Sequence, residues 1–160
     1  MKRISTIFLK TALIFMGAGV IALCTFLLPL LWNDVAVEFP SYSYAVYAVF
    51  SAMFIAAVPF LAGLYGAWRL LSYIDRGMQF TKQSANAVKT VAIAAGIISF
   101  IYIVSMPFFY IWGDNDDAPG LIVIGMVLVG APMIIAVFGS ILHRLITEAT
   151  DLKSENELTV

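Results

Sequence analysis

Apolar positions in this chain neither alternate nor keep to one helical face; they run together. Four stretches, near residues 11–32, 44–73, 91–112 and 121–142, hold about 20 or more residues each, and Arg69 is their one charged residue. That is the length needed to cross a hydrocarbon core of about 30 Å. With no water there to pair the backbone, each stretch must be helical. The pattern therefore predicts an all-α fold, an integral membrane four-helix bundle. A single four-span domain fills residues 1–160, with a short cytoplasmic helical tail at 143–160. Composition agrees: 12% of residues are charged, against roughly 25% in a soluble domain.

The polar remainder gives the orientation. Lys2, Arg3, Lys10, Arg69, Arg76, Lys82, Lys89, Arg144 and Lys153 all fall in the N-terminus, the middle connection or the C-terminus. The other two connections carry Asp34, Glu38, Asp114, Asp116 and Asp117 and no basic residue. One side nets +4 and the other −5. By the positive-inside rule both termini face the cytoplasm. Trp32, Phe39, Tyr42, Tyr44 and Tyr47 flank the first outer connection, and Phe108, Phe109, Tyr110 and Trp112 the second. Trp68, Tyr73 and Phe80 mark the inner interface, where amphipathic rings prefer the headgroup level. The first apolar run is about twice the length of a signal-peptide core. Leu23 stands before Cys24 where a lipoprotein signal needs a small residue, so a retained span is expected.

Within the spans, the second helix is too long for a straight crossing. Residues 44–75 would extend about 48 Å, so the helix must tilt, kink at Pro59, or protrude as far as Asp75. Small residues recur at packing spacing, as Ala52 and Ala56, Ala62 and Gly66, Gly63 and Ala67. They let helix backbones approach closely. Two segments echo one another: Pro29–Asp34 reads PLLWND and Pro107–Asp114 reads PFFYIWGD, each placed to end a helix at the outer face. Two related helical hairpins would explain the echo, and so would convergent interface chemistry.

The stretch from Trp68 to Thr90 is the most informative connection and holds four of the nine basic residues. Gly77 stands where a helix end uses the left-handed conformation. Thr81, after Phe80, is a good N-cap for the next helix. The spacing predicts two helix ends joined by a tight Gly77–Phe80 link. Beyond the fourth span, Leu142, Leu145, Ile146, Ala149 and Leu152 form one stripe, with Arg144, Glu148 and Asp151 off it. This continues the helix for two or three turns, until residues 154–157 break the period.

Candidate chemistry is sparse. Cys24 and His143 are each the only one of their kind, which excludes an intramolecular disulfide, a dithiol relay and bis-histidine haem. His143 at a helix end beside Arg144 is expected to be interfacial. The span cores carry no carboxylate, unlike a proton-coupled exporter, and Arg69 can snorkel to the interface. No catalytic pair stands out, so an enzyme is not expected, nor a bound cofactor or metal. Asp114, Asp116 and Asp117 are dense enough to attract a divalent cation. However, Pro119 and the lack of a Glu at the twelfth position rule out an EF-hand loop, so a solvated acidic cap is the simpler reading. The same carboxylates suit a cationic peptide. The basic connection suits anionic lipid headgroups or an acidic protein surface, although topology alone also accounts for its charge.

The ID-x-G-x-x-FT link at Ile74–Thr81, the GDNDDAPG connection at Gly113–Gly120 and the ENELTV tail at Glu155–Val160 together resemble the YoaS-like family. This is a bacterial group of small four-span membrane proteins whose domain has no assigned function. The resemblance covers essentially the whole chain, with Gln79 where the usual link has proline. It implies a bacterial cytoplasmic-membrane protein encoded beside a small helix-turn-helix regulator. The expectation is then a non-enzymatic regulatory or sensing partner of that transcription factor, with no nucleic-acid contact of its own. Candidate cytoplasmic contacts are Arg69, Asp75, Arg76, Gly77, Phe80, Thr81 and Arg144; candidate outer contacts are Asp114, Asp116 and Asp117. The alternatives are an immunity or envelope-stress protein facing extracellular peptides, and a small transporter subunit working as a homo-oligomer.

Overall fold

The computed structural model describes residues 2–159, with the backbone alone for Lys2; Met1 and Val160, the last residue of the tail motif, lie outside the described residues. The chain forms α1 (Lys2–Ala22), a π-helical turn (Leu23–Leu27), α2 (Leu28–Glu38), α3 (Ser43–Asp75), α4 (Lys82–Asn115) and α5 (Pro119–Leu158). Because α1, the π turn and α2 run on without a break, the molecule consists of four rods, each long and apolar enough to cross a membrane.

Every rod overshoots the apolar stretch that predicted it. The first begins at Lys2 and ends at Glu38, where 11–32 was expected. PLLWND therefore does not end a helix: Pro29 follows directly on the π turn inside a continuous rod, and the helix continues past Asp34. The 33-residue α3 protrudes to Asp75 and continues through Pro59. The tail differs most. Residues 154–157, where the period fails, remain helical, and α5 reaches Leu158 as a 40-residue helix. Ser, Glu and Asn there interrupt the apolar stripe, but none of them breaks a backbone hydrogen bond.

Helix α4 is the axis of the bundle, packed along both α3 and α5, whereas the first rod leans chiefly on α3. Small side chains make this contact close. Ala85, Ala87, Ala92, Ala94, Ala95, Ser99 and Ser105 are among the buried residues of α4. A methyl added at Gly66 would lie 3.2 Å from the Ala87 carbonyl oxygen, and one at Gly63 3.2 Å from Ala94 Cβ. Hydrocarbon tails are as apolar as leucine, so van der Waals contact of this kind must supply much of the association. Hydroxyls are satisfied locally: Ser51, Thr90, Ser105 and Ser140 each donate to the carbonyl four residues back. Ser99 instead crosses to α5, donating to the Val129 carbonyl at 2.9 Å.

The first rod is fixed at its two ends. At the acidic end, Leu28 and Val35 pack with Val46 and Phe50 in a core that Trp32, Phe39, Tyr47 and Trp112 surround. Trp32 meets Tyr47 at 4.7 Å between ring centroids, and Trp112 meets Phe39 at 5.8 Å and Phe50 at 6.0 Å. The expected interfacial rings thus pack on one another across three helices. At the other end the fastening is polar.

Candidate functional site

The basic end is built around the turn between α3 and α4. Helix α3 stops because Gly77 takes φ +71°, which lets its N–H and that of Met78 return to the carbonyls of Ile74 and Tyr73. Helix α4 starts four residues later on a reciprocal cap. The Ser84 N–H donates to Thr81 Oγ1 at 3.3 Å, and the Thr81 N–H donates to Ser84 Oγ at 3.2 Å. Ser84 Oγ, fully buried, also donates toward the carbonyls of Gln79 and Thr81. The link is ordered by its own backbone chemistry, and Phe80 stands half exposed beside it.

Asp75, the last residue of α3, fastens the first rod. Lys10 Nζ donates to Asp75 Oδ2 at 2.9 Å and lies 5.5 Å from the centre of the Trp68 ring. The Lys10 hydrogen bond, with a further one from Thr6, holds the Asp75 carboxyl below its ordinary 3.8, against a smaller opposing effect of burial. Sequence reading missed Lys10 and Thr6. Their signal was a single lysine at the head of the first apolar run, with Asp75 the one carboxylate in the basic connection.

Arg69 is engaged within its own helix. Its guanidinium donates to the Tyr73 hydroxyl, 2.6 Å from Nη2 and 3.2 Å from Nε, and lies over the rings of Tyr65 and Tyr73. Arg76 caps α3 through its backbone and leaves its side chain exposed. Arg144 pairs with Glu148 one turn on, in the open, a geometry that contributes about 0.3–0.5 kcal/mol.

The base of the tail joins this turn. Ile146 is buried against Ala85 and Val88, with Leu70 alongside. The His143 Nδ1–H donates to the Ala85 carbonyl at 2.8 Å, which fixes the proton on that nitrogen. The ring, expected at the interface, ties α5 to the first turn of α4. Its spacing from Ala85 is 58 residues, so no local pattern announces it. Beyond Thr150 the helix stands clear, with Leu152 66% and Leu158 87% exposed.

At the acidic end, Asp114 lies in the last turn of α4, Asp116 caps it and Asp117 takes a positive φ of 50°. Tyr42 donates to Asp116 Oδ1 at 3.2 Å, joining the two connections there. Burial first, and then the Asp116 charge, push the Tyr42 hydroxyl above its ordinary value. Among the described residues no three His, Cys, Asp or Glu side chains converge as a metal site would require.

Four apolar rods with a polar turn and a braced tail define a multi-pass membrane protein. The chain belongs to the family described as "Protein of unknown function (DUF2975)", which it matches over residues 30–160. It is 48% identical, over the full length of both chains, to "Uncharacterized membrane protein YoaS" of Bacillus subtilis (strain 168). No solved structure matches it.

Proposed function

We propose that this chain is a non-enzymatic membrane regulator whose basic end lies in the cytoplasm and holds a small helix-turn-helix transcription factor. The observation that carries the reading is the tail. Helix α5 runs 16 residues past its apolar stretch, from His143 to Leu158, about 24 Å of helix. Its base is braced on α4 by Ile146 and His143, so its outer turns are presented in a fixed direction. An amphipathic helix with exposed leucines beside a basic, capped turn is the form of surface that takes a partner helix or groove. The resemblance to a family encoded beside such a regulator supplies the partner's class. A lipid-only role for the basic turn would leave the protruding helix without work.

The test places a photoreactive amino acid at Leu152, and at lipid-facing Val58 as control, in the protein at natural level in its own cell. Irradiation is expected to join Leu152 to a small DNA-binding protein, with no such product from Val58. The product should disappear when Ile146→Asp releases the tail while the spans still fold. Crosslinks from Leu152 to lipid and to this chain alone would overturn the proposal.

A further inference from the structure

Between its two fastened ends the first rod packs on α3, with Gly17 beside Leu64, but stands away from α4 and α5. The gap is a half-open cavity of about 420 Å³ bounded by residues of all four rods. Small residues leave it unfilled: Ala56, Ala57 and Gly63 on α3 and Ala94 and Ala95 on α4 line it where larger side chains would close it. The π turn borders it through Leu23 and Cys24, and such turns are concentrated at functional sites. Its volume lies within the range of small-molecule sites, about 300–1,000 Å³.

The lining is apolar but for one strong hydrogen-bonding group. Tyr102, at the middle of the α4 span, is 7% exposed and lines the cavity, and its hydroxyl makes no hydrogen bond with any described residue. A tyrosine hydroxyl held away from bulk water ordinarily finds a partner; the Tyr102 oxygen has none and is not itself fully enclosed, so a molecule entering the space can reach it. A water molecule would need two to four partners, and the lining offers only Tyr102 and the weakly bonding thiol of Cys24. Among the described residues no Lys, Arg, Asp, Glu or His borders the space, so a charged ligand would be unpaired at mid-membrane depth.

We infer that the cavity is a binding site for an uncharged lipophile that carries a carbonyl group, accepted from the bilayer through its open side, with the Tyr102 hydroxyl donating to the carbonyl oxygen. Plain hydrocarbon tails fill the space without answering the hydroxyl. A carbonyl at mid-membrane depth is what distinguishes the ligand from bulk lipid, whose ester carbonyls stay at the interface. This inference rests on the cavity alone and is independent of any partner at the basic end.

The experiment uses the full chain in lipid nanodiscs with two diazirine photoprobes of equal length, a long-chain methyl ketone and the corresponding alkane. Labelled residues are mapped by mass spectrometry. The ketone is expected to label cavity residues such as Met53 and Leu128 about fivefold more than the alkane, as a net hydrogen bond of ordinary strength predicts. Tyr102→Phe, which keeps the shape, should reduce the ketone to the level of the alkane. Ala57→Leu, which fills the opening, should suppress labelling by both probes with the thermal midpoint unchanged or raised. Equal labelling by the two probes in the unaltered protein, or a ketone preference that survives Tyr102→Phe, overturns the inference. Label confined to outward faces overturns it as well.

Discussion

Among the described residues Asp75 makes the one ion pair that joins two rods, and its role follows from what surrounds it. One carboxylate meets Lys10 at 2.9 Å, with Thr6 as a further donor, and so ties residues 65 positions apart in sequence. These partners favour the ionised form, so the carboxyl titrates lower in the folded protein than in the unfolded chain. Its contribution is therefore complete above the ordinary value of 3.8 and lost as pH falls below it. Because Lys10 also lies over Trp68, tryptophan emission reports the contact. Titrating the protein in micelles from pH 7 downward should give a change in emission below pH 3.8. Asp75→Asn should lack that change and already show the acid spectrum at pH 7. A transition of the same size in both proteins would assign it elsewhere. None of this was visible beforehand: Asp75 was legible as a polar helix end, but its partner belongs to a different helix, and only the folded arrangement selects Lys10 from nine basic residues.

At the scale of elements, local chemistry was readable and lateral packing was not. Gly77 as the stop of α3 and Thr81 as the cap of α4 follow from conformational demands that a short peptide already obeys, and both are found. The length of α5 was misjudged because apolar periodicity reports burial, while helix formation continues wherever the backbone bonds do. The contact between α4 and α5 illustrates the hidden part. A methyl added at Gly139 would lie 2.9 Å from Ala92 Cβ and 3.3 Å from Ala92 Cα, with little room for either helix to yield. At Gly130, on the same helix, nothing lies within 4 Å. The two glycines look alike in sequence, since both lie inside the same apolar stretch, 121–142. Gly139→Ala is expected to destabilise the bundle by about 1–3 kcal/mol, and Gly130→Ala to change it by no more than about 0.5 kcal/mol. Unfolding in mixed micelles with increasing dodecyl sulfate measures both, and equal effects would show that α4 and α5 are not in such close contact.

For the molecule as a whole, the number of spans was written in composition, because a bilayer demands long apolar runs whatever the sequence inside them. Their arrangement was not, because lipid-facing and packed positions are equally apolar. That is why the cavity beside Tyr102 left no mark in the pattern of residues. Charge, by contrast, is sorted between the ends in a way packing does not require. The end with the capped turn and the tail nets +4, and the end with Asp114, Asp116 and Asp117 nets −5. Carrying a Lys or Arg across during insertion is disfavoured, so nine basic groups gathered at one end favour keeping that end inside. The basic end should then be cytoplasmic, as a regulator of a cytoplasmic partner needs. Single cysteines in a Cys24→Ala background test it. Ser41 lies exposed in the turn between α2 and α3, and Ser154 lies exposed on the tail. In intact cells a membrane-impermeant maleimide should modify the Ser41→Cys protein and spare the Ser154→Cys protein until the membrane is permeabilised. The reverse order of reaction would place the tail outside the cell and remove the basis for a cytoplasmic partner, while leaving the cavity and its predicted ligand untouched.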